Sequence, residues 1–276
     1  MMSKLKLIFL AIPLSFIFNV NINAQSTGML EEVVVTAQKR EESLQDAPIA
    51  ITAITESTID DLDIANVVDL AGMAPNVHII NTPSNNTAAT IAMRGGTTIN
   101  PAITWEPTVG MYLDGVYLGK GQGSIFDVAD LERVEILRGP QGTLYGRNTL
   151  GGAINLISKK PSGAGTSAKV TLGNYGLKQT QLIGDYEIGE NVFTKIVVNN
   201  KKRGGYVNNA ASPYQAAQGV VPNTTSRNTE LDTINSKGVK FTIAYEGDKT
   251  SVNLSVDKTD QDNIPPFAQL TNTIPN

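Results

Sequence analysis

Between Ser167 and Asp257 the chain alternates apolar and polar residues with a period of two, and this constrains the fold more than any other feature. Ala168, Val170 and Leu172 alternate with Lys169 and Thr171, and Leu182, Gly184, Tyr186 and Ile188 with Gln181, Asp185 and Glu187. Val192, Thr194, Ile196 and Val198 alternate with Lys195, Asn199 and Lys201. Val239, Phe241, Ile243 and Tyr245 alternate with Lys240, Thr242 and Glu246, and Val252, Leu254 and Val256 with Asn253, Ser255 and Asp257. A period of two places successive side chains on opposite faces of a strand, so each segment is a strand with one apolar face. Gly173–Gly176, Gly189–Asn191 and Gly247–Lys249 are short turns, whereas Gly204–Asn235 is a long polar connection. Strands of roughly ten residues with this pattern fit a transmembrane β-barrel, and the alternation alone fits a soluble β-sandwich equally. Short turns on one side and a long loop on the other favour the barrel, although the turn at Gly173–Gly176 weakens the contrast. Tyr186 and Tyr245 near strand ends suit an interfacial aromatic girdle.

The N-terminus agrees with an exported protein. Lys4 and Lys6 precede an apolar run from Leu7 to Val20, and polar Asn21–Asn23 lead to Ala24. This is the three-part pattern of a secretory signal peptide over residues 1–24, and the run is shorter than the roughly 20 residues a spanning helix needs. Ile22 occupies a position where a small residue is preferred at cleavage. Exported chains that enter a membrane without an apolar helix do so as closed barrels. The 276 residues contain no Cys and one His, which disfavours Cys-ligated metal sites, thiol nucleophiles and Ser-His-Asp triads. A net charge of −4 argues against nucleic-acid binding. No cofactor or metal site is expected, and no enzyme activity.

Residues 25–47 are polar apart from Glu32-Val33-Val34-Val35-Thr36, a strong β-forming patch after acidic residues. Such a strand reads either as an edge awaiting another chain or as the first strand of the next domain. Residues 48–161 read as a compact α+β domain. Strands are expected at 49–55, 77–80, 89–93, 109–113, 116–118, 134–137 and 153–158, and short helices after Ser57, after Asn66 and over 127–133. Asp114-Gly115 is a hairpin turn signal. Gly139–Gly146 lacks the Gly-Lys-Ser/Thr ending of a phosphate-binding loop, and His78 is expected to be packed within this domain.

The run from Val134 to Pro161, with Leu137-Arg138-Gly139-Pro140-Gln141-Gly142 and Leu144-Tyr145-Gly146 at its centre, closely resembles the plug signature of TonB-dependent outer-membrane receptors. Glu31–Lys39 resembles a TonB box, Ile91–Gly95 the family's Ile-Arg-Gly strand end, and Val109–Tyr117 its Tyr-x-Asp-Gly strand pair. The resemblance implies an α+β plug domain followed by the first antiparallel strands, residues 162–276, of a roughly 22-stranded transmembrane β-barrel. So few strands mark the chain as an N-terminal fragment of a longer product. It further implies active import of a scarce ligand, most often an iron–siderophore complex, across the outer membrane, with the plug and TonB box reached from the periplasm. Glu32, Val33, Val34, Val35 and Thr36 would contact TonB, and Arg94 and Arg138 would meet the barrel wall. Ser84, Asn85, Trp105 and Tyr117 are candidate ligand contacts, and outer-membrane lipid is the expected surrounding. A passive porin or a secreted binding or adhesion module is the alternative. A porin has no use for residues 33–36 or a plug, and a soluble module has no use for lipid-facing apolar rows.

Overall fold

A computed structural model describes residues 33–36, 39–40, 42–82, 85–98, 104–119, 130–208 and 230–264. In chain order the strands are β1 (Val34–Val35), β2 (Glu42–Ser43), β3 (Ile51–Thr55), β4 (Val77–Thr82), β5 (Asn85–Met93), β6 (Gly96–Thr97), β7 (Val109–Leu113), β8 (Val116–Tyr117), β9 (Leu131–Arg138) and β10 (Gly152–Ser158). There follow β11 (Gly165–Gly173), β12 (Leu177–Gly189), β13 (Val192–Arg203), β14 (Val207–Asn208), β15 (Glu230–Leu231), β16 (Ile234–Glu246) and β17 (Ser251–Gln261). Two short helices are α1 (Glu56–Asp61) and α2 (Gly142–Tyr145).

The plug is built on a five-stranded mixed sheet in the order β3-β9-β10-β7-β8, in which β7 and β10 are parallel. Alternation along β9 and β10 sends Val134, Ile136, Ile154 and Leu156 to one face and Glu135, Leu137, Ala153 and Asn155 to the other. The first face is sealed by an aliphatic layer from α1, the 3-10 turn Val67–Leu70, β4 and β5, with Val67, Leu70, Val77 and Met93 at most 2 % exposed. Thr55, not Ser57, caps α1, its hydroxyl accepting from the Thr58 N–H. Asn66 forms a full capping box with Asp69. Asp114 and Gly115 both adopt positive φ in the β7–β8 hairpin, as the sequence suggests.

Two local expectations fail. Leu131, Glu132 and Arg133 open β9 instead of closing a helix, while residues 127–129 lie outside the described set. Arg133 pairs across the sheet with Thr55 and Ile157, so long-range pairing overrides helical propensity there. His78 is exposed on β4, because alternation turns its neighbours Val77 and Ile79 into the core.

Strands β11-β12-β13-β16-β17 form a second, wholly antiparallel sheet. Its exposure is inside-out. On β13, Lys195, Asn199 and Lys201 are each 6 % exposed, whereas Ile196 and Val198 are 45 % and 38 % exposed. Val239, Phe241 and Tyr245 on β16 and Val252, Leu254 and Val256 on β17 likewise face outward. Over β13 and β16 the plug covers the polar face and the apolar face is bare, which suits lipid and is opposite to a soluble sandwich. Among the described residues no helix is long and apolar enough to cross a membrane.

Three lysines tie the plug to this wall, the most exposed being Lys169, whose Nζ lies 3.4 Å from Asp60 Oδ1. Lys240 Nζ reaches Asp114 Oδ2 at 2.7 Å and Ser158 Oγ at 2.5 Å. Lys195 Nζ lies 3.2 Å from Asp130 Oδ2 and 3.5 Å from Asp185 Oδ2, and it donates to the carbonyls of Lys159 and Lys160. Asp185 in turn accepts the backbone N–H groups of Ser162 and Gly163, fixing the segment that joins plug to wall. Burial pushes the Asp130 carboxyl above the ordinary carboxylate range, and Lys195 opposes but does not outweigh this.

Candidate functional site

The second face of the plug sheet is closed by the N-terminal segment. β1 pairs antiparallel with β2, Val34 opposite Ser43 and Val35 opposite Glu42. Val35 is fully buried against Leu137, Tyr145, Ala153 and Tyr112, while Val34 is 43 % exposed. Val33, Leu44, Ala47 and Ile49 complete the cover. The three valines therefore behave as a strand, and one of them is the key into a groove.

Backbone geometry sets what this strand has left to offer. The Leu44 N–H donates to the Val33 carbonyl at 2.9 Å, so 33 and 44 are a hydrogen-bonded pair. Bonded and non-bonded pairs alternate in an antiparallel ladder, so Val34 and Thr36 turn their N–H and C=O groups away from β2. The Thr36 N–H donates to Glu135 Oε1 at 2.7 Å, and the Thr36 hydroxyl donates to the same oxygen at 3.1 Å. The Thr36 carbonyl accepts from the Lys39 N–H at 2.9 Å.

Glu135 is fully buried in the middle of β9. Arg133 Nε donates to its Oε1 at 2.9 Å, and Asn155 Nδ2 lies 3.4 Å from its Oε2. A buried carboxylate is tolerated when it is paired and hydrogen-bonded, and here the N-terminal strand supplies two of the donors. Asn155 Nδ2 also donates to Tyr145 Oη at 2.7 Å, and Tyr112 Oη donates to the Tyr145 carbonyl at 2.5 Å. Lys39 Nζ stands 4.5 Å from the Tyr145 ring centroid and 5.4 Å from that of Tyr112, a cation–π peg beside β1. Burial raises the Tyr145 phenol above its ordinary value, with Glu135 adding to the shift against the Asn155 hydrogen bond. Burial, then Tyr117 and Tyr145, raises Tyr112.

The remaining sequence-named residues fall into separate places. Glu32 and Ser84 lie outside the described residues, and Asn85 begins β5. Trp105 is 57 % exposed. Tyr117 is half-buried, with its ring 5.3 Å from Tyr112 and its hydroxyl accepting from Asn148 at 2.9 Å. Arg94 and Arg138 are brought to one end of the plug. A side chain at Gly139 would stand 2.6 Å from Arg94 Nη1, and the Arg138 Nε is buried with no hydrogen-bond partner among the described residues. Gly152 nearby has φ of 151°, and a Cβ there would fall 2.2 Å from the Leu137 carbonyl oxygen. Among the described residues neither arginine side chain bonds β11, β12, β13, β16 or β17; Lys169, Lys195 and Lys240 join those strands to the plug. Among the described residues no cluster of three or more His, Asp or Glu side chains forms a metal site.

Sequence reading missed the roles of Glu135, Asn155 and Tyr145, and it placed Lys195 and Lys240 on the polar strand face without their partners. A single acidic residue inside Val134–Leu137 was the available signal for Glu135, since an apolar strand rarely buries a charge without a partner.

The fold is an α+β unit set against one face of an open antiparallel wall. Residues 43–153 match the TonB-dependent Receptor Plug Domain. The chain is 33 % identical over 141 residues to the pesticin receptor of Yersinia pestis, covering 50 % of this chain and 20 % of that protein. It is 30 % identical over 162 residues to the catecholate siderophore receptor Fiu of Escherichia coli K12, covering 57 % and 20 %. The ferric yersiniabactin uptake receptor FyuA from Yersinia pestis superimposes with a TM-score of 0.64 at 19 % identity, over 76 % of this chain and 31 % of that one. The chain thus spans about 20 % of the length of these curated relatives. Residues 43–153 are thus similar to the plug domain of TonB-dependent receptors, and the chain resembles part of such a receptor. These curated relatives are both named as receptors.

Proposed function

We propose that this chain carries the plug, the TonB-contacting strand and the first wall strands of a receptor that imports a scarce ligand across the outer membrane. The observation that carries the reading is β1, a short strand seated on the plug with the Val34 N–H and C=O turned outward. Those groups suit strand addition by TonB, which recognises main chain more than side chains. Force applied there would act on the sheet through Glu135 and Val35, while Lys195 and Lys240 hold the plug's other end to the wall. The bare apolar rows of β13, β16 and β17 face lipid.

Iron–siderophore complexes are the proposed cargo, in keeping with the names of the Fiu and FyuA relatives. Trp105, the exposed aromatic near Arg147 and Glu106, is the ligand contact we favour. Tyr117 is engaged with Tyr112 and Asn148 and serves packing. Arg94 and Arg138 are proposed to meet acidic groups of the wall, which the unpartnered Arg138 Nε supports.

Uptake of labelled ferric siderophores by cells relying on the receptor tests the proposal. Val34→Pro deletes the outward N–H. Uptake should vanish while cell-surface binding of the cargo stays at the parental level. Parental uptake by the variant would refute the assignment of residues 33–36.

A further inference from the structure

We propose that Glu135 is a latch that keeps the N-terminal strand parked and withholds it from TonB. It is a positioning residue, and it acts on the one backbone donor that strand addition needs next after Val34. An added strand bonds alternate residues of its partner, so on the outer edge of β1 it requires the N–H and C=O of Val34 and of Thr36. Both Thr36 groups are already taken, the N–H by Glu135 Oε1 at 2.7 Å and the C=O by the Lys39 N–H at 2.9 Å. While the latch is closed, an incoming strand finds only Val34 free on this edge among residues 33–36.

Glu135 suits this task better than a hydrophobic clasp would. A hydrogen bond from an N–H to a carboxylate is roughly twice as strong as a neutral one. It is also made to the backbone, so it holds the strand in one register whatever the side chain at 36. Arg133 Nε also donates to Oε1 at 2.9 Å, and its Nη2 lies 3.5 Å from the Thr36 hydroxyl. Asn155 lies between Glu135 and Tyr145, the last residue of α2 in the glycine-rich loop 139–151, and so ties the position of the carboxylate to that loop. Tyr145 also forms one wall of the Val35 groove and stacks its ring beneath Lys39. A displacement of the loop therefore loosens the carboxylate, the groove and the cation–π peg together.

The consequence for TonB rests on the function proposed above, but the latch itself is tested without TonB or cargo, so the two ideas fail separately. The chain has no cysteine, so Val35→Cys places a single thiol at a fully buried site that opens only when β1 lifts. The full chain in detergent micelles is treated with a maleimide and the alkylation rate is measured. Glu135→Ala and Thr36→Pro, each added to Val35→Cys, should each raise the rate about tenfold or more. Thr36→Ala keeps the N–H and should raise it less than about threefold. The double variant with both Glu135→Ala and Thr36→Pro should react no faster than the faster single one, because both changes remove one interaction. A parental rate in Thr36→Pro overturns the latch, and so do effects that multiply in the double variant. If Glu135→Ala does not fold, Thr36→Pro against Thr36→Ala decides: a large gap supports the latch and equal rates overturn it.

Discussion

The two faces of the plug sheet are closed in different ways. One is sealed by Val67, Leu70, Val77, Ile79 and Met93, an aliphatic layer with its helix and 3-10 turn capped by Thr55 and Asn66. The other is closed by residues 33–47, and its floor holds a carboxylate, an amide and two phenols among the apolar groups. The first closure is driven by apolar burial and has no smaller unit that can leave. The second hangs on one buried valine, two hydrogen bonds to Glu135 and a lysine over two rings. A cover meant to come off is fastened by few, directional contacts, while a permanent core is fastened by many non-directional ones.

The comparison predicts where substitutions bite. The largest stability effect should come from Lys195→Met in full chain held in micelles. It leaves Asp130 and Asp185 facing each other across the plug–wall joint without their cation, at a cost of about 3–5 kcal/mol. A thermal melt within about 1 kcal/mol of the parent would show that the joint does not depend on that pairing. Next, Leu70→Ala on the sealed face should lower global stability by about 3 kcal/mol, read as a shifted cooperative melt.

Val35→Ala on the removable face should behave differently although its parent residue is as deeply buried. The cooperative melt should move by only about 1 kcal/mol, while backbone hydrogen exchange at 33–36 accelerates strongly. Equal losses from Leu70→Ala and Val35→Ala would erase the distinction between the two faces. The smallest effect concerns the phenols. Burial raises Tyr112 above its ordinary value, so its contribution is whole below the free phenol's value of about 10 and is lost as pH climbs through the raised one. The stability gap between parent and Tyr112→Phe should therefore be constant through neutral pH and narrow only in strong alkali.

The joint between plug and wall shows how far pattern reading carries. Lys195 and Lys240 were legible as polar members of alternating strands, hence as residues of the inward face. Their partners were not, because Asp130 is 65 positions from Lys195 and Asp114 is 126 positions from Lys240. Arg94 and Arg138 drew attention as the arginines of the signature, yet the described wall strands meet the plug through lysines. At 131–133, Leu-Glu-Arg following Ala-Asp reads as helix by propensity, and pairing with β3 and β10 turns it into strand.

By itself the sequence determined the strand alternation, the inward and outward sets of β12, β13 and β16, the Asp114-Gly115 hairpin and the glycine-rich signature. Each of these is written in local spacing or in backbone sterics, which neighbours in the chain enforce. Only the tertiary structure decided that residues 33–36 lie on the second face of the plug sheet, and that Glu135, 99 positions from Thr36, holds them there. Period-two alternation says which way a side chain points but not what will cover it. The cover depends on which distant segment best satisfies a buried carboxylate and fills the groove beside it, and that choice is made by three-dimensional packing alone.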